Sequence, residues 1–368
     1  MPKILAVALA LSCLAARFSP VAAQSDPDRV VDSLIKAEMA KRLIPGAAVV
    51  VVRDGRVVKK TVYGLASVEL NAQATNATLF QIASATKNVT GVAIMQLVEA
   101  GKFSLAARVS DLLPNLPPAW RPVTVIQILG HTSGLPDMIL DPETGAWLSG
   151  STDSVLKQLA VMPIKPAGTE WSYNQTNYLL LGLLIEKFGG MPYREYFQRK
   201  VFAPLGITGV VFGDSRTVAP GRTSEYSRLH VTPNASRLTD LVAINYQYPD
   251  GLYTAAGIFI NANDMGRWLE GVMHGATLRP ESFRTMTTST SLNDGKPFHF
   301  PDSPMGYGLG WLTMDRPAHR AVGGSGGGRA AVLYYPEDRV AVAVMTNLQG
   351  ADPESLVELI AAQYQPKP

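Results

Sequence analysis

Cysteine occurs once in 368 residues, at Cys13, so the chain can form neither an internal disulfide nor a metal site built from several thiolates. Histidine is also scarce. His131, His230, His274, His299 and His319 are the only five, and none shows metal-ligand spacing. Charged residues make up 17% of the chain and nearly cancel, at a net +3. That leaves no basic excess to attract nucleic acid. The glycine cluster Gly323 to Gly328 is followed by neither Lys-Ser nor Lys-Thr, which removes a phosphate loop. Internal repeats and low-complexity linkers are missing as well. What remains is the composition of an ordinary soluble globular protein, 46% apolar, suited to small ligands.

Residues 1–23 read as an export signal. Lys3 gives a positive start, Ile4 to Leu14 an apolar run, and Val21-Ala22-Ala23 the small residues that a signal peptidase requires. Arg17 and Pro20 break the run before the roughly eighteen apolar residues of a membrane span. Cleavage after Ala23 is expected, giving a periplasmic or secreted protein without a stable membrane span. Cys13, Lys3 and Arg17 would leave with the signal, and the net charge would fall to about +1.

After an amphipathic stretch, Val30 to Lys41, the run Ala47 to Val52 reads as a buried strand. Asp54-Gly55 and a second run, Val57 to Tyr63, complete a hairpin with a type I′ turn. A matching pair lies near the other end. Ala330 to Tyr335, a Pro336-Glu337-Asp338 turn and Val340 to Met345 precede a helical tail, Pro353 to Tyr364. Between the ends, helical patterns such as Ser154 to Val161 and Tyr178 to Lys187 alternate with loops, the latter stopping at Gly189-Gly190. The simplest arrangement is an α/β (α+β) fold in which both terminal hairpins share one antiparallel sheet flanked by the terminal helices. Residues 24–80 and 305–368 would form this lobe. Residues 81–304 would form an inserted, mostly helical lobe, with a ligand cleft between the two.

The stretch Ser84 to Ala100 is apolar on almost every face, as in a buried central helix. Ser84 stands at its first turn, and Lys87, three residues on, projects from the same face. This sets an oxygen nucleophile near the positive end of a helix dipole, beside a lysine sheltered from water. Desolvation disfavours an ammonium, so a sheltered lysine can accept a proton from serine near neutral pH. Taken alone, a capping serine followed by a surface lysine has the same pattern.

A second block, Pro166 to Tyr178, leads into a helix and contains Tyr173. Ser-x-x-Lys followed about ninety residues later by a tyrosine at the mouth of a helix resembles the class C β-lactamases, D-alanyl-D-alanine carboxypeptidases and family VIII esterases. The likeness runs from about Ile35 to Gln349. It takes in Phe80 to Ser84, Ile128 to Pro136, Ala203 to Ile207, Ala255 to Ile258 leading to Asp264, and Tyr307 to Trp311. The resemblance implies a β-lactamase/transpeptidase-like fold and a catalytic set of Ser84, Lys87 and Tyr173, the tyrosine exchanging a proton with Ser84 and then with the leaving group. It implies no cofactor.

The chain departs from that pattern twice. Two residues after Tyr173 the family usually has asparagine, and here stands Gln175, whose amide could hold Lys87 or a substrate at a shifted position. On the strand facing the nucleophile, where relatives place Lys-Thr-Gly or His-x-Gly, this chain has Gly324-Ser325-Gly326-Gly327. The cation or imidazole is absent. Glycines let a backbone approach a ligand closely, and an N–H at Gly327 paired with that of Ser84 would form an oxyanion hole. Ser325 could donate to a substrate oxygen. Losing the cation points away from carboxylate-bearing substrates toward neutral esters or amides. His131 with Asp137 invites a Ser-His-Asp reading, but His131 to Gly134 resembles a structural turn of the family. The expectation is a serine hydrolase acting through an acyl-enzyme on an ester, an amide or D-amino-acid peptide, or weakly on a β-lactam. The competing expectation is a non-catalytic, penicillin-binding-like sensor of cell-wall or acylated ligands.

Overall fold

The apolar run near the N-terminus becomes a strand because both of its faces are covered. A computed structural model describes residues 26–141, 146–148, 150–232 and 235–366. The expected signal, residues 1–23 with Cys13, lies outside them. Strand Gly46–Arg53 pairs with Val340–Thr346 on one side and Arg56–Ser67 on the other. Side chains alternate across a strand. Val49 and Val51 accordingly lie with Val31 and Ile35 of helix Pro27–Arg42 and with Leu356 and Ile360 of helix Pro353–Ala361. Val50 and Val52 turn to the larger core beneath. Burial on two faces is why the strand reads as unbroken hydrophobics.

Eight strands form one antiparallel sheet. Their order is Met305–Tyr307, Leu312–Met314, Ala321–Gly326, Ala330–Tyr335, Val340–Thr346, Gly46–Arg53, Arg56–Ser67 and Ala72–Gln73. Both expected hairpins are therefore neighbours at the sheet's centre. Asp54 and Gly55 both have positive φ, 52° and 78°, as a type I′ turn demands. Arg339, in the other hairpin's turn, accepts from the Asp54 N–H at 2.9 Å and donates to its carboxylate at 2.7 Å. The two turns are thus tied together.

Under the sheet runs helix Ala262–Met273, whose Glu270 accepts from the Val57 N–H at 2.9 Å. Gly266 allows that approach, since a Cβ there would stand 2.9 Å from Val57. The core of residues 81–304 is the pair Thr86–Glu99 and Thr176–Gly189, the second closed by Gly190 at φ 69°. This middle part also holds a hairpin, Tyr226–Thr232 with Ala235–Ala243, joined in parallel to Leu348–Gln349. Its partner strand lies more than a hundred residues further along the chain, so local pattern alone gives no sign of it.

Arg329, almost completely buried, fastens the turn after Ala321–Gly326 to this middle part. One of its nitrogens donates to Gln81 at 2.6 Å and to buried Glu225 at 2.9 Å. Removing one member of a buried ion pair strands the other charge. Arg329→Met is expected to lower the unfolding free energy by about 3–5 kcal/mol, and Arg329→Met/Glu225→Gln to recover at least half of it in urea denaturation. An equal loss in both variants would show that the pairing contributes nothing.

Candidate active site

The nucleophile candidate sits on a bend. Strand Phe80–Gln81, held by Ile258–Ile260, is followed after Ile82 by Ala83, which has φ 43°. A residue with a Cβ rarely adopts that conformation, at a cost of about 1–3 kcal/mol. A 3₁₀ turn, Ala83–Ala85, follows, and the α-helix begins at Thr86. The sequence pattern puts Ser84 inside the helix; the structure puts it just ahead of the helix, because the left-handed Ala83 interrupts the run. Ser84 is partly exposed there.

Lys87 is 1% exposed. Its Nζ donates to Ser84 Oγ at 3.3 Å and to the Ala255 carbonyl at 3.1 Å, its two hydrogen-bond partners among the described residues. The ammonium lies 4.7 Å from the centre of the Tyr173 ring and 5.0 Å from that of Tyr178, in range of cation–π attraction. Thr86 and Thr90 bond the same neighbouring segment, through the Ile258 N–H and the Thr254 carbonyl. The block Ala255 to Ile258 thereby closes over the lysine.

Two phenols, Tyr173 and Tyr178, face this amine, and a third, Tyr307, interacts with Tyr178. Burial pushes the Tyr178 and Tyr307 hydroxyls up, well above the usual phenol range. Both stay protonated. Tyr173, 38% exposed, is the phenol with the widest access to solvent.

His131 is packed among these rings, 4.6 Å from Tyr173 and 4.9 Å from Tyr307 between centroids. Its Nδ1 accepts from the Asn174 N–H at 3.1 Å, which leaves the proton of the neutral ring on Nε2. Burial first, and then the nearby Lys87 charge, hold its pKa well below the usual histidine value. Asp137 is engaged elsewhere, accepting from the N–H groups of Ile139 and Gln175. No His131–Asp137 bond is formed. With φ 59° at His131 and Ser133 bonded to Asn177, the segment is a locked turn.

Strand Ala321–Gly326 closes the site from the sheet. A Cβ on Gly326 would lie 2.2 Å from the Ile82 carbonyl and 2.5 Å from the Ser84 nitrogen, so only glycine permits the contact. Gly327 and Gly328 then turn the chain, each at φ 59°. Together with Ser84, Tyr173, Gly324 and Ser325, Gly326 and Gly327 line a pocket of about 300 Å³ walled by Trp171, Phe300 and Tyr307.

The structure therefore gathers Ser84, Lys87, Tyr173, Gly324, Ser325, Gly326 and Gly327. Gln175 is set apart: it is buried, stands just before helix Thr176–Gly189, gives its N–H to Asp137, and does not line the pocket. Its neighbour Asn174 locks the turn by donating to the Leu135 carbonyl and accepting from the Asn177 N–H. Sequence reasoning missed Asn88, which does line the pocket. Its signal was its place one helical turn after Ser84. Among the described residues no group of three or more His, Cys, Asp or Glu is placed to hold a metal ion, and no helix is long and apolar enough to cross a membrane.

Comparison with known proteins agrees with this architecture. A family model described as Beta-lactamase matches residues 31–365. An N-acetylmuramyl-L-alanine amidase of Bacillus subtilis (strain 168) is 27% identical, over 87% of this chain and 80% of that protein. Protein flp of Staphylococcus aureus (strain COL) is 24% identical, over 92% and 67%. The octameric penicillin-binding protein homologue from Pyrococcus abyssi superposes with a TM-score of 0.75 at 28% identity, covering 91% of this chain and 76% of the other. A match over nearly the whole described length, on a sheet with flanking helices of the β-lactamase/transpeptidase type, means that the chain belongs to the beta-lactamase family, with its serine-hydrolase-like β-lactamases and penicillin-binding proteins.

Proposed function

We propose that the protein is a serine hydrolase that forms an acyl-enzyme on Ser84 and acts by preference on uncharged carboxylic esters or amides. The observation that carries this reading is Lys87, buried with its Nζ 3.3 Å from Ser84 Oγ and a backbone carbonyl as its other partner. In the proposed first step Ser84 Oγ bonds to the substrate carbonyl carbon. Its proton passes through the Lys87–Tyr173 pair to the departing oxygen or nitrogen. The N–H groups of Ser84 and Gly327 are the proposed oxyanion donors. Water then attacks the ester and releases the acid.

The bend at Ala83 and the close contact of Gly326 with the Ser84 nitrogen support that role, since both fix the serine before a substrate arrives. D-amino-acid peptides and β-lactams are alternatives in the same chemistry, the latter in keeping with the name of the Pyrococcus relative. The uncharged pocket lining favours uncharged esters over them.

A panel of a short-chain aryl ester, a chromogenic cephalosporin and a D-alanyl amide is expected to show the ester turned over fastest and Ser84→Ala inactive on all three. Lys87→Arg and Tyr173→Phe should each lower kcat by roughly 10²- to 10⁴-fold, and the double variant little further, because groups acting as a unit are not additive. Stoichiometric ligand binding without turnover of any member would favour the sensor reading instead.

His131 separates this mechanism from a Ser-His-Asp triad. A neutral, buried histidine whose pKa is lowered adds stability that is present above the unfolded value of about 6.5 and lost as pH falls below it. Asparagine tolerates positive φ and offers an acceptor at a similar place. His131→Asn should therefore keep most of its ester turnover at pH 7.5 and flatten the acid limb of stability below about pH 6.5. Turnover reduced to the level of Ser84→Ala would make His131 the base.

A further inference from the structure

The position where relatives carry a cation is occupied by a group from another element. A Cβ on Gly324 would lie 2.3 Å from Asn88 Oδ1 and 2.9 Å from its Cγ and Nδ2. The Asn88 carboxamide, on helix Thr86–Glu99, fills the space that a strand side chain would enter. Its orientation is settled by its partners. The nitrogen donates to the Gly310 carbonyl at 2.7 Å and to the Gly323 carbonyl at 3.0 Å, and a carbonyl can only accept. Both amide hydrogens are thereby used. The oxygen has no donor among the described residues and faces Gly324, on the pocket's wall. Among the described residues, none that lines the pocket is charged.

We propose that Asn88 is the specificity-determining residue of this pocket. It excludes a side chain from position 324 and presents a carbonyl oxygen to the substrate, which selects uncharged acyl groups bearing a hydrogen-bond donor and turns away carboxylates. The inference rests on the acyl-enzyme reading above. A carboxylate entering beside Gly324 would lose its water and meet the negative end of an amide dipole there rather than a cation. A hydroxyl or amide N–H would find a ready acceptor. It also follows that restoring lysine at Gly324 does not by itself restore a carboxylate site, because Asn88 stands in the way.

The test uses three matched aryl esters, butanoyl, N-acetylglycyl and succinyl, with kcat/KM measured for the wild type and four variants. The wild type should favour N-acetylglycyl over butanoyl by about tenfold, the worth of one hydrogen bond, and succinyl should be slowest. Asn88→Ala should lower kcat/KM for N-acetylglycyl about tenfold more than for butanoyl, erasing the preference between them. Gly324→Lys alone should lose turnover of all three, whereas Asn88→Ala/Gly324→Lys should regain butanoyl turnover and raise succinyl above the wild type by about tenfold or more. Three results would overturn the inference: an unchanged donor preference in Asn88→Ala, a Gly324→Lys single variant as active on succinyl as the double, or wild-type succinyl turnover equal to butanoyl. The wild-type comparison stands even where a variant fails to fold. Ser84→Ala is the fourth variant; turnover there equal to the wild type would remove the acyl-enzyme reading itself.

Discussion

The site depends on the burial of one lysine. An ammonium taken out of water loses several kcal/mol of solvation, and the chain compensates Lys87 with one serine oxygen, one backbone carbonyl and two aromatic faces rather than with a carboxylate. Each of those partners must be brought to the lysine by a different part of the chain. Ser84 comes from the bend before the helix, Ala255 from the segment after the middle hairpin, Tyr173 and Tyr178 from the turn and helix that His131 locks in place. A single polar group thus fixes the arrangement of three elements around it. It also explains why residues far from the pocket are constrained, since Thr86 and Thr90 hold the Ala255 segment against the helix.

The sheet is docked to that core through positions that lack side chains. Gly326 meets the Ser84 nitrogen, and a Cβ on Gly91 would stand 2.6 Å from the Leu309 carbonyl. The same contact is reinforced by Trp311, whose indole donates to the Asn88 backbone carbonyl at 3.2 Å. The block Tyr307 to Trp311 is therefore a clasp between central helix and sheet, and the pocket is what remains open beside it. Close backbone packing here gives precision without charge. The aromatic wall, with Trp171 stacked on Phe298 at 4.8 Å, completes a pocket whose lining residues carry no charge, with Lys87 behind Ser84.

Much of this could be read from the sequence, for reasons particular to each element. The terminal hairpins announce themselves because their central strands are buried on both faces and their turns need Asp-Gly or Pro. Ser84 and Lys87 are legible through their Ser-x-x-Lys spacing together with the resemblance, and Tyr173 through the resemblance alone. Three things were not legible. The left-handed Ala83 is imposed by the strand before it, and nothing in Ile-Ala-Ser-Ala marks it. The Asn88 carboxamide bonds Gly323, 235 residues away, and only three-dimensional proximity reveals that it fills the space beside Gly324. The resemblance put Gln175 where it could hold the lysine or a substrate, whereas the structure leaves it buried at the start of helix Thr176–Gly189, off the pocket lining, with its N–H on Asp137.

The central claim is that the amine of Lys87 exists to activate one serine among several nearby. Treating the purified protein with a fluorophosphonate and mapping the adduct by peptide mass spectrometry tests it directly. The account predicts a single adduct, on Ser84, formed much more slowly in Lys87→Arg. An adduct on Ser133, Ser172 or Ser325, or labelling of Ser84 at an undiminished rate without the lysine, would contradict it.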